Sequence, residues 1–273
     1  MIRNNDNRPI GIFDSGLGGL TAVNCLAELL PEERFIYFGD TARTPYGSKA
    51  IETIQRFSVQ IAEFLLRHDA KVIVIACNTV SATCLPVLRQ HFPNIPIIGI
   101  IEPAARLVAR EFHDGQRIGI IGTKVTVASR QYEEIIFSYD KRCKVYSKAC
   151  PLFVPAIEEG LGNTELMEQI VRYYMDDFVR ENRLDVLVLG CTHYPLVEEI
   201  IRRRYPDLTI VNPSKTVAYA VADVLAQNGI CAKNSTQENR FYASDLSDNF
   251  VKMTHSIISN SGVVVKQKNF QDT

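Results

Sequence analysis

The sequence predicts an α/β protein built from two similar doubly wound domains with mainly parallel sheets. Short runs of β-branched and apolar residues alternate with segments of helical periodicity along most of the 273 residues, as in strand–helix–strand units with right-handed crossovers. Several runs are apolar on both faces, which is typical of strands in a covered parallel sheet. A similar Cys-containing motif occurs in each half of the chain, which predicts that the strand pattern occurs twice.

Eight strands are predicted in order along the chain. They are "PIGIFD" at 9–14, "RFIYFGD" at 34–40, "KVIVIAC" at 71–77, "IPIIGI" at 95–100, "RIGIIGT" at 117–123, "KVYSKAC" at 144–150, "LDVLVLGC" at 184–191 and "LTIVN" at 208–212. Segments with helical period lie between them, for example at 52–68 and 166–182.

The predicted domains divide the chain unequally. The first is formed by residues 1–99 and 212–273, and the second by residues 100–211. The polar leader "MIRNNDNR" has no apolar signal-peptide core. The final "NSGVVVKQKNFQDT" is predicted to be a loosely held tail.

Composition and charge exclude several classes of function. The 30 basic and 31 acidic residues give a net charge of −1, so no cationic excess is available to neutralise nucleic-acid phosphates. No apolar run approaches the ~18 residues that a membrane span needs. The seven cysteines are an odd number spread widely along the chain, so no disulfide framework is predicted. No pair of them has C-x-x-C spacing, so no metal centre is predicted. We therefore expect a cytoplasmic protein that binds no metal, nucleic acid or membrane.

The two Cys motifs are "VIVIACNTVSA" at 72–82 and "VLVLGCTHYPL" at 186–196. Each places a cysteine after an apolar strand and at the predicted N-terminus of a helix, where backbone N–H groups favour an anion and lower the pKa of a thiol. A free Cys is also common as a small buried hydrophobe. Two cysteines in equivalent places, each followed closely by Thr, favour chemistry at Cys77 and Cys191. The other five cysteines are predicted to be structural.

The segment "FDSGLGG" at 13–19 follows the first predicted strand. Its glycines permit a tight turn and close approach of the backbone to a ligand, but it matches neither the phosphate-loop nor the dinucleotide-binding pattern. Asp14 and Ser15 would present a carboxylate and a hydroxyl to that ligand. Taken alone, Asp14 fits a turn or helix N-cap position at least as well.

Two further segments carry polar groups after predicted strands. The segment "GDTARTPYG" at 39–47 predicts a turn-rich loop that aims backbone N–H groups at an anionic ligand, with Tyr46 covering it. His193 lies two residues after Cys191 and suits proton exchange near neutral pH. The alternatives are an ordinary strand–helix connection for the loop and a structural histidine at a helix start.

In order along the chain, "FDSGLGGL", "GDTARTPYG", "ACNTVSA", "CPLFVPAIEEG" and "LGCTHYPL" together resemble the motifs of the cofactor-independent aspartate/glutamate racemase family. The resemblance covers residues 10–196 and is closer to the glutamate-specific members. Members that act on aspartate typically follow the first Cys-Asn-Thr with a small residue and His, and the second Cys-Thr with Glu. This chain has Val80-Ser81 and His193 there.

The resemblance implies that the active site lies in the cleft between two domains and that Cys77 and Cys191 are the two acid–base residues. Asp14 and His193 would assist proton transfer at Cys77 and Cys191 respectively. The resemblance also implies a set of substrate-binding positions. These are Asp14, Ser15, Tyr46, Gly47, Asn78, Thr79, Thr123, Thr192 and His193.

A further acidic residue is implied beside His193. In "IEEG" we assign it to Glu159, and the neighbouring Glu158 remains open. No cofactor is expected, because two groups on opposite sides of an α-carbon can remove a proton from one face and deliver one to the other. The implied reaction interconverts L- and D-glutamate and supplies D-glutamate for peptidoglycan. We expect glutamate as the small-molecule partner and leave a homodimer open.

Three alternatives remain. A racemase of the same family could act on another amino acid, such as aspartate. A cysteine hydrolase could use Cys191 as nucleophile and His193 as base, although this leaves the Cys77 motif unexplained. An amino-acid-binding protein would need the polar groups but neither thiol.

Overall fold

The computed structural model describes residues 5–112, 115–233, 238–258, 263–268 and 270. The chain divides into two compact units, Met1–Ile100 with Ser214–Thr273, and Ile101–Pro213. The divisions predicted from the sequence, after residues 99 and 211, lie within two residues of these.

Ten strands occur in the described part of the chain. They are β1 Ile10–Asp14, β2 Phe35–Gly39, β3 Val72–Ile75, β4 Ile97–Gly99, β5 Arg117–Gly122, β6 Lys144–Ala149, β7 Val186–Gly190, β8 Thr209–Val211, β9 Arg240–Ala243 and β10 Val265–Gln267. The first eight confirm the eight predicted strands. Every strand pair among the described residues is parallel, which confirms the predicted α/β class.

Helices connect these strands. They are α1 Leu20–Leu29, α2 Ile51–Arg67, α3 Asn78–His91, α4 Ile101–Glu111, α5 Lys124–Ser129, α6 Gln131–Tyr139, α7 Phe153–Glu158, α8 Glu165–Asn182, α9 Glu198–Arg204, α10 Pro213–Asn228 and α11 Asp248–Ile257. Short 3₁₀ turns occur at Thr41–Arg43, Tyr46–Ser48 and Tyr194–Val197. Within the described ranges, no helix has the length and apolarity needed to cross a membrane.

The two sheets share a core topology. The first sheet has the order β10-β9-β2-β1-β3-β4 and the second has the order β6-β5-β7-β8. In each, the second strand of the unit lies on one side of the first, and the third and fourth lie on the other. The crossing point is therefore between β1 and β3 in one unit and between β5 and β7 in the other. Ligands of doubly wound sheets bind at the carboxyl ends of strands at such a point.

The central strands of the first sheet carry apolar residues on both faces. All residues of β1, β2 and β3 are buried, as expected when helices cover both sides. Helix α2 buries one face, through residues such as Ile54, Ile61 and Leu65, in a cluster that also contains Phe13 and Ile75. This packing fixes the register in which Phe13 lies between Phe38 and Ile75.

The prediction of a loose C-terminal tail is wrong for the described residues. Strand β10 pairs in parallel with β9, and β9 pairs with β2. The Phe270 ring lies 5.0 Å from that of Phe38 between centroids. Both strands are short and β10 is largely exposed, so their sequences lack the apolar run that marks a central strand. Residues 260–262, 269 and 271–273 of the predicted tail lie outside the described residues.

A buried ion pair lies at the amino-terminal edge of the first sheet. The ammonium group of Lys71 is 2.7 Å from Oε2 of Glu33, and both side chains are buried. Lys71 also donates to the carbonyl oxygens of Asp6 and Ile230, at 2.6 and 2.7 Å. Oε1 of Glu33 accepts from the backbone N–H of Ala232 at 2.7 Å. One pair of side chains thus joins four separate chain segments.

We expect Lys71→Met to lower the free energy of unfolding by about 3 kcal/mol, because it leaves the Glu33 carboxylate buried without its cation. Urea denaturation at pH 7 measures the change. Lys215→Met is the matched control, since Lys215 is exposed on α10 and exposed substitutions change stability by about 0.5 kcal/mol or less. Equal stabilities of the two variants would contradict the assignment of the ion pair as a structural tie.

Candidate active site

Cys77 lies at the carboxyl edge of the first sheet and caps α3. It has an extended backbone conformation, and the N–H of Ser81 donates to its carbonyl oxygen at 2.9 Å, which is the first α-helical hydrogen bond of α3. Its side chain is buried, with Sγ 3.5 Å from Oγ of Ser15. The N-terminus of a 14-residue helix favours a thiolate at this position.

Asp14 ends β1 beside the same crossing point. The N–H of Ala76 donates to the carbonyl oxygen of Phe13 at 2.9 Å, so the β1–β3 pairing continues to the residues just before Cys77. The Asp14 side chain is fully buried, and its Oδ2 accepts from the N–H of Gly16 at 3.0 Å. Asp14 therefore makes the turn contact that the sequence predicted. This contact does not exclude the acid–base role that was predicted for the same carboxylate.

Gly19 makes room for the Asp14 side chain. A Cβ atom added at Gly19 would lie 2.5 Å from Cβ of Asp14, closer than such atoms approach without displacement. The sequence indicated close approach of this glycine-rich segment to a ligand. In the structure, at least one of its glycines is needed for close approach to the candidate carboxylate itself.

Tyr37 is a residue of this site that the sequence did not indicate. Its hydroxyl donates to the carbonyl oxygen of Gly16 at 2.6 Å. Burial, and then the negative charges of Asp14 and Cys77, raise its pKa well above the usual value, so the phenol stays protonated and remains a donor. Tyr37 belongs to an apolar strand, and nothing in that pattern distinguishes it from a core aromatic residue.

The substrate-binding positions predicted in the first unit fall into two groups. Asn78 and Thr79 form the first turn of α3 directly after Cys77, and both are buried. Tyr46 and Gly47 lie in the 3₁₀ turn that packs against α3. The ring of Tyr46 is buried and its hydroxyl donates to the carboxylate of Asp40. Its expected position over a ligand stays a prediction.

The second unit places Cys191 at the end of β7, in the position that corresponds to Cys77. Gly122 of β5 pairs with Gly190 of β7, so Thr123 and Cys191 leave adjacent strand ends. The Cys191 side chain is buried, and its Sγ lies 4.0 Å from Nδ1 of His193. Thr192 and His193 are buried as well.

The carboxylate that contacts His193 is Glu158, so the expectation that Glu159 lies beside His193 is wrong. Oε1 of Glu158 lies 3.0 Å from Nε2 of His193. Glu158 is the last residue of α7, whereas Glu159 caps the helix and is exposed. Consecutive helical residues point about 100° apart, so only one of the two can face the imidazole.

His193 lies between two acidic groups, the Cys191 thiol and the Glu158 carboxylate. Burial disfavours the charged ring, but the hydrogen bonds that the ring donates to Cys191 and Glu158, together with their negative charges, outweigh it and raise the pKa of His193 to about 10. The imidazole is therefore cationic at neutral pH when its neighbours are anionic. Nδ1 of this ring lies 4.0 Å from the Cys191 sulfur.

Cys191 does not stand at the N-terminus of an α-helix, contrary to the expectation from the sequence. The N–H of Tyr194 donates to its carbonyl oxygen at 3.1 Å in a turn, and the 3₁₀ segment Tyr194–Val197 follows. The α-helical bond that Ser81 makes to Cys77 would have to come from Pro195, which has no N–H. The signal was present in "CTHYP", since a proline four residues after the cysteine excludes that bond.

Thr123 has a structural role in the second unit. It is the N-cap of α5, and its Oγ1 accepts from the N–H of Thr126 at 3.2 Å. Its predicted contact with substrate stays a prediction. Across the described part of the chain, no three His, Cys, Asp or Glu side chains are grouped so that they could hold a metal ion.

Comparison with known proteins identifies the family. The family model described as Asp/Glu/Hydantoin racemase matches residues 20–221. A glutamate racemase of Geobacter metallireducens is 42% identical over 248 residues, covering 90% of this chain and 91% of the relative. One of Chlorobaculum tepidum is 44% identical over 223 residues, covering 81% of each.

A solved structure gives the same result for the fold. The crystal structure of glutamate racemase from Francisella tularensis in complex with D-glutamate aligns with a TM-score of 0.90 at 35% identity. The alignment covers 98% of this chain and 100% of that one. The two parallel sheets share a core topology, and a buried cysteine follows the third strand of each unit. By these comparisons, the chain belongs to the Asp/Glu/Hydantoin racemase family.

Proposed function

We propose that this chain is a glutamate racemase that interconverts L- and D-glutamate by proton transfer at the α-carbon. The observation that carries the proposal is the equivalent placement of two buried thiols, Cys77 after the third strand of one sheet and Cys191 after the third strand of the other. The relatives most similar to this chain include several named glutamate racemases, and one structural relative was solved with D-glutamate.

In the proposed reaction, one cysteine acts as thiolate and the other as thiol. The thiolate takes the α-proton, and the electron pair of the broken C–H bond is delocalised into the α-carboxylate. The second thiol then delivers its proton to the opposite face of the planar carbon and becomes the thiolate. The proton count is unchanged, and the two cysteines have exchanged roles, ready for the reverse direction.

The proposal assigns different supporting groups to the two thiols. Asp14 assists at Cys77, where the α3 N-terminus also favours the anion. His193 and Glu158 assist at Cys191, where the helix is lacking. Ser15, Asn78, Thr79, Thr123 and Thr192, with the Tyr46–Gly47 backbone, would bind the carboxylates and amino group of the substrate. Neutral donors of this kind stabilise the charge that develops on the carboxylate in the transition state.

We further propose that the product serves peptidoglycan synthesis and that the enzyme works in the cytoplasm. No disulfide joins any of the seven cysteines, all of which lie within the described residues. The mechanism requires this state at two of them, and a reducing compartment maintains it.

Racemisation in deuterated water tests the function and the mechanism together. We expect the optical activity of L-glutamate to decay to zero, with L-aspartate converted far more slowly. Because the delivering thiol has exchanged with solvent, early product should carry α-deuterium while recovered substrate carries little. Circular dichroism follows the first result and mass spectrometry the second.

Two outcomes of that experiment would count against the proposal. Equal rates with aspartate would reject the substrate assignment. Substantial retention of the original α-hydrogen in the product would reject two separate bases, since a single base serving both faces returns the hydrogen that it removed.

We expect Cys77→Ala and Cys191→Ala each to reduce racemisation by at least about 10³-fold, because each removes the only proposed base on one face. Far-UV circular dichroism should remain that of the wild type. Cys84→Ala and Cys143→Ala are matched controls, the first in α3, the helix that Cys77 caps, and the second in the second unit. They should retain activity, and a comparable loss in either control would indicate that truncation of a thiol harms the fold.

We expect Glu158→Gln to move the alkaline limb of the pH–rate profile to lower pH. Glu158 raises the pKa of His193, so its removal lets the imidazolium lose its proton at lower pH, and the Cys191 thiolate then loses a neighbouring cation. The measurement is kcat in both directions from pH 7 to 10.5.

Glu159→Gln is the matched control, since this adjacent carboxylate is exposed. Titration of the substrate amino group affects all three proteins alike, so the difference between variants reports on the enzyme. A shift in Glu159→Gln but none in Glu158→Gln would overturn the assignment.

A further inference from the structure

Asp40 is a buried carboxylate that the reaction described above leaves without a role. It directly follows β2, and its side chain is fully buried. A buried charge is costly unless it is paired and hydrogen-bonded. The groups around Asp40 therefore indicate what it holds in place.

Three donor groups, which make four hydrogen bonds, converge on this residue. Nε of Arg43 donates to Oδ1 and Oδ2 at 2.9 and 2.8 Å. The hydroxyl of Ser244 donates to Oδ1 at 2.8 Å, and the hydroxyl of Tyr46 donates to Oδ2. These groups come from the turn that follows β2, from the loop that contains Tyr46 and from the segment after β9.

The donors are themselves held by their surroundings. Nη1 of Arg43 donates to Oε1 of Gln60 on α2 at 2.6 Å, and its guanidinium carbon lies 4.0 Å from the centroid of the Phe57 ring. Oγ of Ser244 accepts from the N–H of Ala42 at 2.9 Å. Asp40, Arg43 and Ser244 thus form a frame that neighbouring residues hold in place. Within this frame the Asp40 carboxylate can hold Tyr46, the side chain of the proposed binding turn.

The backbone of Asp40 connects this frame to the candidate catalytic carboxylate. Its N–H donates to the carbonyl oxygen of Asp14 at 3.1 Å. The side chain and the main chain of one residue thus join the Tyr46–Gly47 turn to the end of β1. A shift of this turn relative to Asp14 would require one of these bonds to break.

We infer that Asp40 is a positioning residue of the racemase, whose carboxylate fixes the Tyr46 hydroxyl and thereby orients the Tyr46–Gly47 backbone toward the substrate. The inference rests on the proposed function, because it assumes that this turn binds glutamate. Since the Tyr46 hydroxyl is used by Asp40, the turn contacts substrate through its backbone and not through the phenol. Asp40 itself touches neither the substrate nor the reacting atoms.

A double-mutant cycle with Asp40→Asn and Tyr46→Phe tests this inference. Tyr46→Phe removes the donor of the hydrogen bond and Asp40→Asn replaces its charged acceptor by a neutral amide. Each should therefore raise KM for both enantiomers about tenfold, the effect of one hydrogen bond to a charged group. Both kcat values should stay within about twofold of wild type. The KM of the double variant should be no higher than that of Asp40→Asn alone, because the effects of substitutions that act through one contact are not additive.

Tyr46→Phe keeps the ring and all charges, so it decides the matter if Asp40→Asn, which leaves Arg43 without its carboxylate, does not fold. Asp245→Asn is the control, since this nearby carboxylate is exposed, and its kinetics should match the wild type. A KM for Tyr46→Phe equal to that of wild type, additive effects in the double variant, or a fall in kcat with KM unchanged would each overturn the inference.

Limited trypsin digestion separates this inference from the proposed function. Cleavage after Arg43 and Lys49 reports whether the turn is held, independently of any substrate. We expect it to be faster in Asp40→Asn and Tyr46→Phe than in wild type and Asp245→Asn. Cleavage unchanged in both variants would overturn the inference even in an active racemase. Faster cleavage with KM unchanged would mean that Asp40 holds the turn without affecting substrate binding. That result would also overturn the inference. A wild-type protein inactive toward glutamate would refute the proposed function, while digestion would still decide whether Asp40 holds the turn.

Discussion

In each unit, parallel pairing of the first strand with the third is the constraint on which the candidate site depends. In a parallel sheet all strands end at one edge, so pairing of β1 with β3 brings Asp14 and Ser15 next to Cys77. Pairing of β5 with β7 does the same for Thr123 and Cys191. The backbone hydrogen bonds of the sheet, and not the polar side chains, therefore determine which groups meet. The side chains only have to follow a strand in the sequence.

Under the proposed function, the surroundings of Cys77 and of Cys191 would stabilise a thiolate by different means. Cys77 has the N-terminus of a long helix, an environment made of backbone dipoles that does not titrate. Cys191 has a buried imidazole whose charge depends on its own proton and on Glu158. One proline explains the difference, because Pro195 cannot make the helical bond that Ser81 makes. The proposed function thus assigns the same chemistry to two equivalent positions with different neighbours, the helix dipole at Cys77 and a titrating imidazole at Cys191.

Much of this could be predicted from the sequence, and the failures have physical causes. Six of the eight predicted strands, β1 to β5 and β7, are almost entirely buried, and burial on both faces leaves a dense β-branched pattern. Strands β9 and β10 were missed because they are short and only partly buried, and so carry little of that pattern. Glu158 could not be distinguished from Glu159, since the direction of a helical side chain depends on where the helix ends. Asp40 had no signal of its own, because its partner Ser244 is far away in the sequence.

The first unit is discontinuous, and this has a consequence for synthesis. Residues 101–213 form one uninterrupted stretch and can complete the second sheet while the chain is still being made, since domains fold as units during translation. The first sheet cannot, because β9 covers one side of β2 only after residues 240–243 exist. Until then β2 is an apolar strand with an open hydrogen-bonding edge, the kind of surface on which nascent chains aggregate. The nascent first unit therefore has a longer period of exposure, and a greater need for chaperones, than the second.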